Sequence, residues 1–142
     1  MSIVSKILGV LGGIAIVAIG AALIWYFMIQ TPYRRSLPPE AATDIMEETL
    51  TDSAAVSTYF LRARLKADAF PEYCSKLKFS LLSDMNAITG EARQYASWKA
   101  EKAPSWWNPS ESMLSTYYSV ERRSIVLAKH ENGFLYIKAV YF

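Results

Sequence analysis

The sequence predicts an α+β fold, with one N-terminal transmembrane helix followed by a small domain. That domain is expected to have an antiparallel sheet of about four strands with one or two helices packed on one face. Three observations support this fold class. An uncharged apolar run covers residues 7–29. Residues 58–66 alternate in the manner of a half-buried strand, and Asn132-Gly133 lies between two apolar runs in the manner of a hairpin turn.

The apolar run predicts a membrane-spanning helix. At 1.5 Å per residue, residues 7–29 extend roughly 34 Å, which exceeds the ~30 Å hydrocarbon core of a bilayer. The run continues further than a cleaved signal peptide needs, so it is typical of a signal anchor. Rings and cations near its C-terminal end are expected at the lipid interface. These lipid-interface residues are Trp25, Tyr26, Tyr33, Arg34 and Arg35.

The chain is expected to have three parts. They are a transmembrane anchor over residues 1–30, a Pro-containing stalk over 31–39, and a soluble α+β domain over 40–142. The prolines of the stalk favour extended backbone over a regular helix. Lysine and arginine are almost balanced across the anchor, but a very short N-terminal tail with Lys6 favours a cytoplasmic N-terminus. We therefore expect a single-pass membrane protein with its domain on the non-cytoplasmic (periplasmic) side.

Three elements are predicted in the first half of the domain. Residues 40–50 favour a short helix, because they contain good helix formers with acidic side chains in the early turns. Residues 58–66 predict a strand. Its buried face is expected to contain Tyr59, Leu61, Ala63 and Leu65. Residues 68–79 predict a helix with Asp68 as its cap, Pro71 in its first turn and an inward stripe that includes Cys74.

The opposite face of the predicted strand contains a row of cations, Arg62, Arg64 and Lys66. One interpretation is a binding site for an acidic partner or a lipid phosphate. The other is a solvated sheet face, since rows of surface charge are common and individual surface ion pairs contribute little.

Two adjacent tryptophans, Trp106 and Trp107, lie between prolines at positions 104 and 109. Adjacent side chains cannot both point to one side of a strand or helix. One tryptophan is therefore expected to fill the core while the other is exposed as an anchor for a partner. Alternatively, both pack as a lid over the sheet.

The C-terminal segment predicts three strands, at about residues 115–120, 124–130 and 134–142. A type I′ turn at Asn132-Gly133 fixes the register of the last two strands, because both residues tolerate positive φ. It places His130, Ala128 and Val126 opposite Leu135, Ile137 and Ala139 on an inward apolar face. The other face is mixed and is expected to be partly wet. It contains Ile125, Leu127, Lys129, Tyr136, Lys138 and Val140.

The chemical motifs that mark common enzymes are missing from the sequence. It has no set of metal ligands, glycine-rich phosphate loop, nucleophile elbow or haem-attachment motif. A dyad of Cys74 with His130, the single cysteine and the single histidine, has no supporting motif. We therefore expect no catalytic residues, no cofactor, no metal and no small-molecule substrate. The net charge of +2 is too small to indicate a nucleic-acid partner.

These features favour a single-pass, membrane-anchored, non-enzymatic binding protein or accessory subunit of a membrane protein complex. Its partners would be the lipid bilayer and another membrane protein. The predicted partner-binding residues are Trp106, Trp107, Arg62, Arg64 and Lys66. The alternative is a membrane-anchored inhibitor or immunity-type protein that binds a toxin or an enzyme.

Overall fold

The computed structural model describes residues 3–52 and 55–142, apart from the side chains of residues 5, 6, 8, 27 and 29. The chain divides into two compact units, Met1–Arg35 and Ser36–Phe142. The first two residues of the predicted anchor and the side chain of Lys6, used above to orient it, lie outside the described part.

The first unit is helical. Helix α1 covers Ile3–Ile24, a π-helical turn follows at Trp25–Ile29, and a short helix α2 covers Pro32–Arg35. Within the part of the chain that the structure describes, no helix is both long enough and apolar enough to cross a membrane. The predicted transmembrane helix is therefore wrong; the apolar run is divided between α1 and the π-helical turn.

The membrane localisation depended on that helix and is corrected with it, as is the periplasmic placement. The lipid-interface role of the aromatic and basic residues near its end depended on the same helix and is no longer supported. Trp25 and Tyr26 are exposed in the π-helical turn, whereas Tyr33 is buried in α2. The expected extended stalk is wrong at Pro32, since this proline begins α2, where the first turn of a helix leaves backbone N–H groups without helical partners.

The described part of the second unit forms one antiparallel sheet of six strands in the order β1-β2-β6-β5-β4-β3. The strands are β1 Ala42–Thr51, β2 Ser57–Leu65, β3 Ser80–Leu81, β4 Tyr117–Glu121, β5 Ser124–Glu131 and β6 Phe134–Tyr141. Helix α3 covers Phe70–Lys76 and helix α4 covers Ala92–Tyr95. The expected sheet of about four strands is thus too small, because β1 and β3 were not foreseen.

The predicted helix over residues 40–50 is wrong, because this segment forms strand β1. It pairs with β2 from Ala42, opposite Leu65, to Thr51, opposite Ser57. Tyr59 Oη donates a hydrogen bond to Glu47 Oε2 at 2.7 Å across the pair. These long-range bonds outweigh a weak local helix preference.

The predicted strand over residues 58–66 is confirmed by β2, whose Tyr59, Leu61, Ala63 and Leu65 are buried on one face. The predicted helix over residues 68–79 is confirmed in shorter form by α3. Pro71 lies in its first turn and Cys74 is buried, as expected. The predicted cap is wrong, because α3 begins after Ala69 with no capping hydrogen bond from a side chain.

The hairpin register is confirmed. His130 pairs with Leu135, Ala128 with Ile137, and Val126 with Ala139. Asn132 and Gly133 have φ values of 52° and 82°, as a type I′ turn requires.

The apolar face of this hairpin is buried as expected, and the ring of Phe70 from α3 packs on it, 5.3 Å from the Tyr117 ring and 5.8 Å from the His130 ring.

The opposite face, expected to be partly wet, is also buried. Ile125, Leu127, Tyr136 and Val140 form a hydrophobic core with Trp98 and its neighbours. The segment between β3 and β4 covers this face, which the weak periodicity of that segment did not predict. Lys129 and Lys138, on the same face, are only 3% and 5% exposed.

Candidate functional site

The segment over residues 104–112, here called the Trp loop, lies across the second face of the sheet. Polar side chains of the sheet strands hold alternate residues of the loop. Arg62 Nη1 of β2 donates to the Trp106 carbonyl at 2.8 Å, and Tyr136 Oη of β6 donates to Asn108 Oδ1 at 2.9 Å. Further along, β5 contacts Ser110. The loop is therefore fixed to three neighbouring strands.

The contact at Ser110 is a small charged network. Lys129 Nζ donates to the Ser110 carbonyl at 2.5 Å, to Ser110 Oγ at 2.9 Å and to the Ser112 carbonyl at 3.3 Å. Glu131 accepts hydrogen bonds from the Ser110 backbone N–H, at 2.8 Å, and from its hydroxyl. The Lys129 ammonium lies 3.8 Å from Glu131 Oε1 and 4.8 Å from the centroid of the Trp98 ring.

The pKa values of both Lys129 and Glu131 are lowered, for different reasons. Burial lowers the pKa of Lys129, while the negative charge of Glu131 opposes that shift. The pKa of Glu131 lies below its usual value: partial burial raises it, but hydrogen bonds from Ser110 and the charge of Lys129 together lower it more. Because the N–H donors of Lys129 all point to oxygens of the loop, the amine holds the loop and offers no lone pair to activate the Ser110 hydroxyl.

The two tryptophans of the loop occupy different environments. The Trp107 ring packs into the core, with centroid distances of 4.9 Å to Phe60 and 5.5 Å to Tyr136. Both side chains are half-buried, but Trp106, whose ring centroid is 6.2 Å from that of Trp107, does not belong to the core cluster. The side chains diverge, as expected for adjacent residues.

Trp106 lies beside two arginines of β2. The Arg62 guanidinium is 5.9 Å from the centroid of the Trp106 ring and 5.0 Å from that of Phe134. The Arg64 guanidinium is 4.8 Å from the same Phe134 ring. These four residues, Arg62, Arg64, Trp106 and Phe134, are called the Arg–Trp surface below. Distances of this size are typical of cation–π contacts.

The two arginines differ in how firmly they are held. Arg62 is half-buried and is fixed by the Trp106 carbonyl, and its Nη2 also lies 3.2 Å from Met46 Sδ. Arg64 forms an ion pair with Asp44 at 2.9 Å, but the two side chains are 58% and 63% exposed. An exposed pair of this kind contributes about 0–1 kcal/mol. The Arg64–Asp44 pair is therefore held only weakly.

Of the predicted partner-binding residues, the structure brings Arg62, Arg64 and Trp106 together. Trp107 adjoins them from the core side. Lys66 is exposed just after β2, and none of the described contacts joins it to the other four. The sequence did not identify Lys129 and Tyr136 as supports of the loop. No local signal marks them, because the burial of their face depends on the distant segment that covers it.

Cys74 and His130 do not form a reactive pair among the described contacts. Burial raises the pKa of the Cys74 thiol to about 12. His130 Nε2 lies 2.7 Å from the Leu65 carbonyl, to which it donates a hydrogen bond. No group of three His, Cys, Asp or Glu side chains suited to a metal ion occurs within residues 3–52 and 55–142.

No protein-family model matches the chain, and neither a curated protein nor a solved structure matches it. The functional interpretation therefore depends on the geometry of the described residues.

Proposed function

We propose that the chain is a non-enzymatic binding protein, an accessory subunit that docks an acidic region of a partner protein on its Arg–Trp surface. The observation that carries this proposal is the hydrogen bond from Arg62 to the Trp106 carbonyl. That bond holds the half-buried Trp106 beside Arg62, and Arg64 lies over the Phe134 ring that Arg62 also contacts.

The support of the Trp loop favours binding. Ordering a flexible loop on association costs free energy for each side chain that becomes fixed, whereas a loop fixed in advance avoids this cost. Arg62, Tyr136 and Lys129 already hold the loop at residues 106, 108 and 110. The surface can therefore bind a partner without first ordering the loop.

The residue types of the surface support a protein partner. Tryptophan and arginine are enriched among the residues that contribute most to protein interfaces. A planar guanidinium recognises a carboxylate through paired hydrogen bonds and stacks on aromatic rings at the same time. Asp44 already occupies one such position beside Arg64, which supports a partner that presents aspartate or glutamate there.

The test is capture of a partner by full-length tagged protein, with the recovered proteins quantified by mass spectrometry. We compare wild type with Trp106→Ala and Arg64→Glu. Arg122→Glu makes the same charge change on an exposed residue of the β4–β5 turn, at the opposite end of the sheet, and is the matched control. Circular dichroism checks that each variant is folded.

We expect wild type and Arg122→Glu to recover the same protein at fixed stoichiometry. Trp106→Ala and Arg64→Glu should each weaken recovery by about tenfold, which corresponds to ~1.4 kcal/mol. Equal recovery by all four proteins would rule out the Arg–Trp surface. If the recovered protein is an enzyme or a toxin that loses activity on binding, the role is that of an inhibitor, which is the alternative function predicted from the sequence.

A further inference from the structure

A pocket of about 290 Å³ opens on the face of the sheet that the segment between β3 and β4 covers. None of its lining residues belongs to the Arg–Trp surface. Its walls come from β1, β2 and β6 and from residues 94–102. Lys138 of β6 lines this pocket, although its side chain is almost completely buried. A buried ammonium at a pocket wall is unusual, because lysine is rarely buried without a compensating charge.

The partners of Lys138 leave its charge uncompensated. Its Nζ donates to the Ser97 carbonyl at 2.6 Å and to the Lys99 carbonyl at 3.0 Å. An ammonium has three N–H donors, and within the described part of the chain no other acceptor and no carboxylate pairs with this one. Burial lowers the pKa of Lys138 to about 8.

Lys129 provides an internal comparison, since it is buried on the same face. Its ammonium has a carboxylate 3.8 Å away, the centroid of an aromatic ring 4.8 Å away and several oxygen acceptors. Lys138 has two neutral carbonyls instead. Lys138 is therefore a buried ammonium without an ion-pair partner among the described residues.

The remaining charges of the pocket nearly cancel. Lys102 pairs with Asp52 at 3.6 Å. Lys99 and Glu101, which also line the pocket, carry opposite charges. Lys138 is left as the net positive charge. The valines at positions 56 and 140 add apolar surface to the same walls.

We propose that this pocket binds a small organic carboxylate, with one carboxylate oxygen accepting the remaining N–H of Lys138 and the hydrocarbon part lying against Val56 and Val140. A single uncompensated charge with a single remaining donor matches a monoanion. Inorganic phosphate, a mixture of monoanion and dianion at pH 7 with more oxygens to satisfy, would need further cations and donors. The pocket shares no residue with the Arg–Trp surface, so this proposal is independent of the docking function.

The experiment is a titration of ¹⁵N-labelled full-length protein with butyrate at pH 7, followed by NMR chemical shifts. Butylamine and inorganic phosphate are titrated in parallel. Lys138→Met removes the charge at similar side-chain volume, and Ala100→Trp fills the pocket while retaining Lys138. Lys76→Met removes an exposed lysine outside the pocket and serves as the control.

We expect saturable shifts at pocket residues with butyrate, in wild type and in Lys76→Met alike. Butyrate should bind at least about tenfold more weakly to Lys138→Met and to Ala100→Trp. The proposal is overturned if wild type shows no saturable shift, if Ala100→Trp retains full affinity, or if phosphate or butylamine binds as well as butyrate. Should Lys138→Met fail to fold, the result for Ala100→Trp decides.

Discussion

At the scale of single residues, the electrostatic cost of Lys138 has a measurable consequence. Burial lowers its pKa from 10.5 to about 8. Between these pH values the unfolded chain binds more protons than the folded chain, so the contribution of Lys138 to the free energy of unfolding rises with pH. This pKa shift lowers the free energy of unfolding by about 3 kcal/mol at pH 7. The folded protein recovers that free energy fully only above pH 10.5.

Urea unfolding of wild type and Lys138→Met at pH 7 and above pH 10.5 tests this prediction. Other titrating groups near the pocket, among them Asp52, Tyr95, Lys99, Glu101 and Lys102, are common to both proteins. We expect the stability difference to move by about 3 kcal/mol in favour of wild type as the pH rises. A difference that does not change with pH would mean that Lys138 titrates normally.

Arg62 is expected to stabilise the Trp loop more than its neighbour Arg64 does. Arg62→Met removes the donor to the Trp106 carbonyl and should lower the free energy of unfolding by about 1–3 kcal/mol. It should also increase the mobility of the Trp106 indole in NMR relaxation. Arg64→Met is the matched control, because its exposed ion pair contributes about 0–1 kcal/mol. Equal effects of the two variants would show that the hydrogen bond from Arg62 to the Trp106 carbonyl does not stabilise the Trp loop.

Cys74 is expected to be chemically inert in the folded protein. Its thiol is buried, and burial raises its pKa to about 12, whereas thiolate is the reactive form. Labelling with a disulfide reagent should be at least about a hundredfold slower in the native protein than in urea. Native labelling at the rate of a free thiol would reopen the possibility of a catalytic cysteine.

At the scale of elements, the turn between β5 and β6 determines the pairing of the central hairpin. Gly133 has φ of 82°, and no heavy atom lies within 4 Å of the position that a Cβ would occupy. Gly133→Ala is therefore expected to cost about 1–2 kcal/mol through backbone strain alone. Thermal unfolding checks this value. Asn132→Gly keeps positive φ accessible and should change stability by less than about 1 kcal/mol.

The elements that the sequence predicts correctly are those with local signals. The alternation in β2, the turn at Asn132-Gly133 and the inward stripe of α3 depend on nearby residues. Strand β1 was predicted as a helix because its formation depends on pairing with β2, and its local composition favours a helix. The two-residue β3 has no local signal at all.

Some residues of the candidate site could likewise be predicted from the sequence, and others could not. Arg62, Arg64 and Trp106 were identified from charge spacing and residue type alone. Lys129 and Tyr136 were assigned to a partly wet face, because nothing in the sequence shows which segment covers that face. The contribution of these two residues becomes visible only once the Trp loop lies over β5 and β6.

At the scale of the whole molecule, the second unit is a sheet that is buried on both faces. Helix α3 packs on one face and the irregular segment between β3 and β4 covers the other. Irregular segments over a sheet need their own polar contacts, because their backbone groups cannot join the ladder. In this domain the same contacts that attach the covering segment also fix the Arg–Trp surface.

The central claim is that this surface binds a partner through Trp106. The most direct test is the dissociation constant of the captured partner for wild type and for Trp106→Ala. Leu114→Ala is the matched control, since Leu114 lies just beyond the Trp loop and is 83% exposed. We predict at least about a tenfold weaker affinity for Trp106→Ala and an unchanged affinity for Leu114→Ala. An unchanged affinity for a folded Trp106→Ala protein would contradict the proposed function.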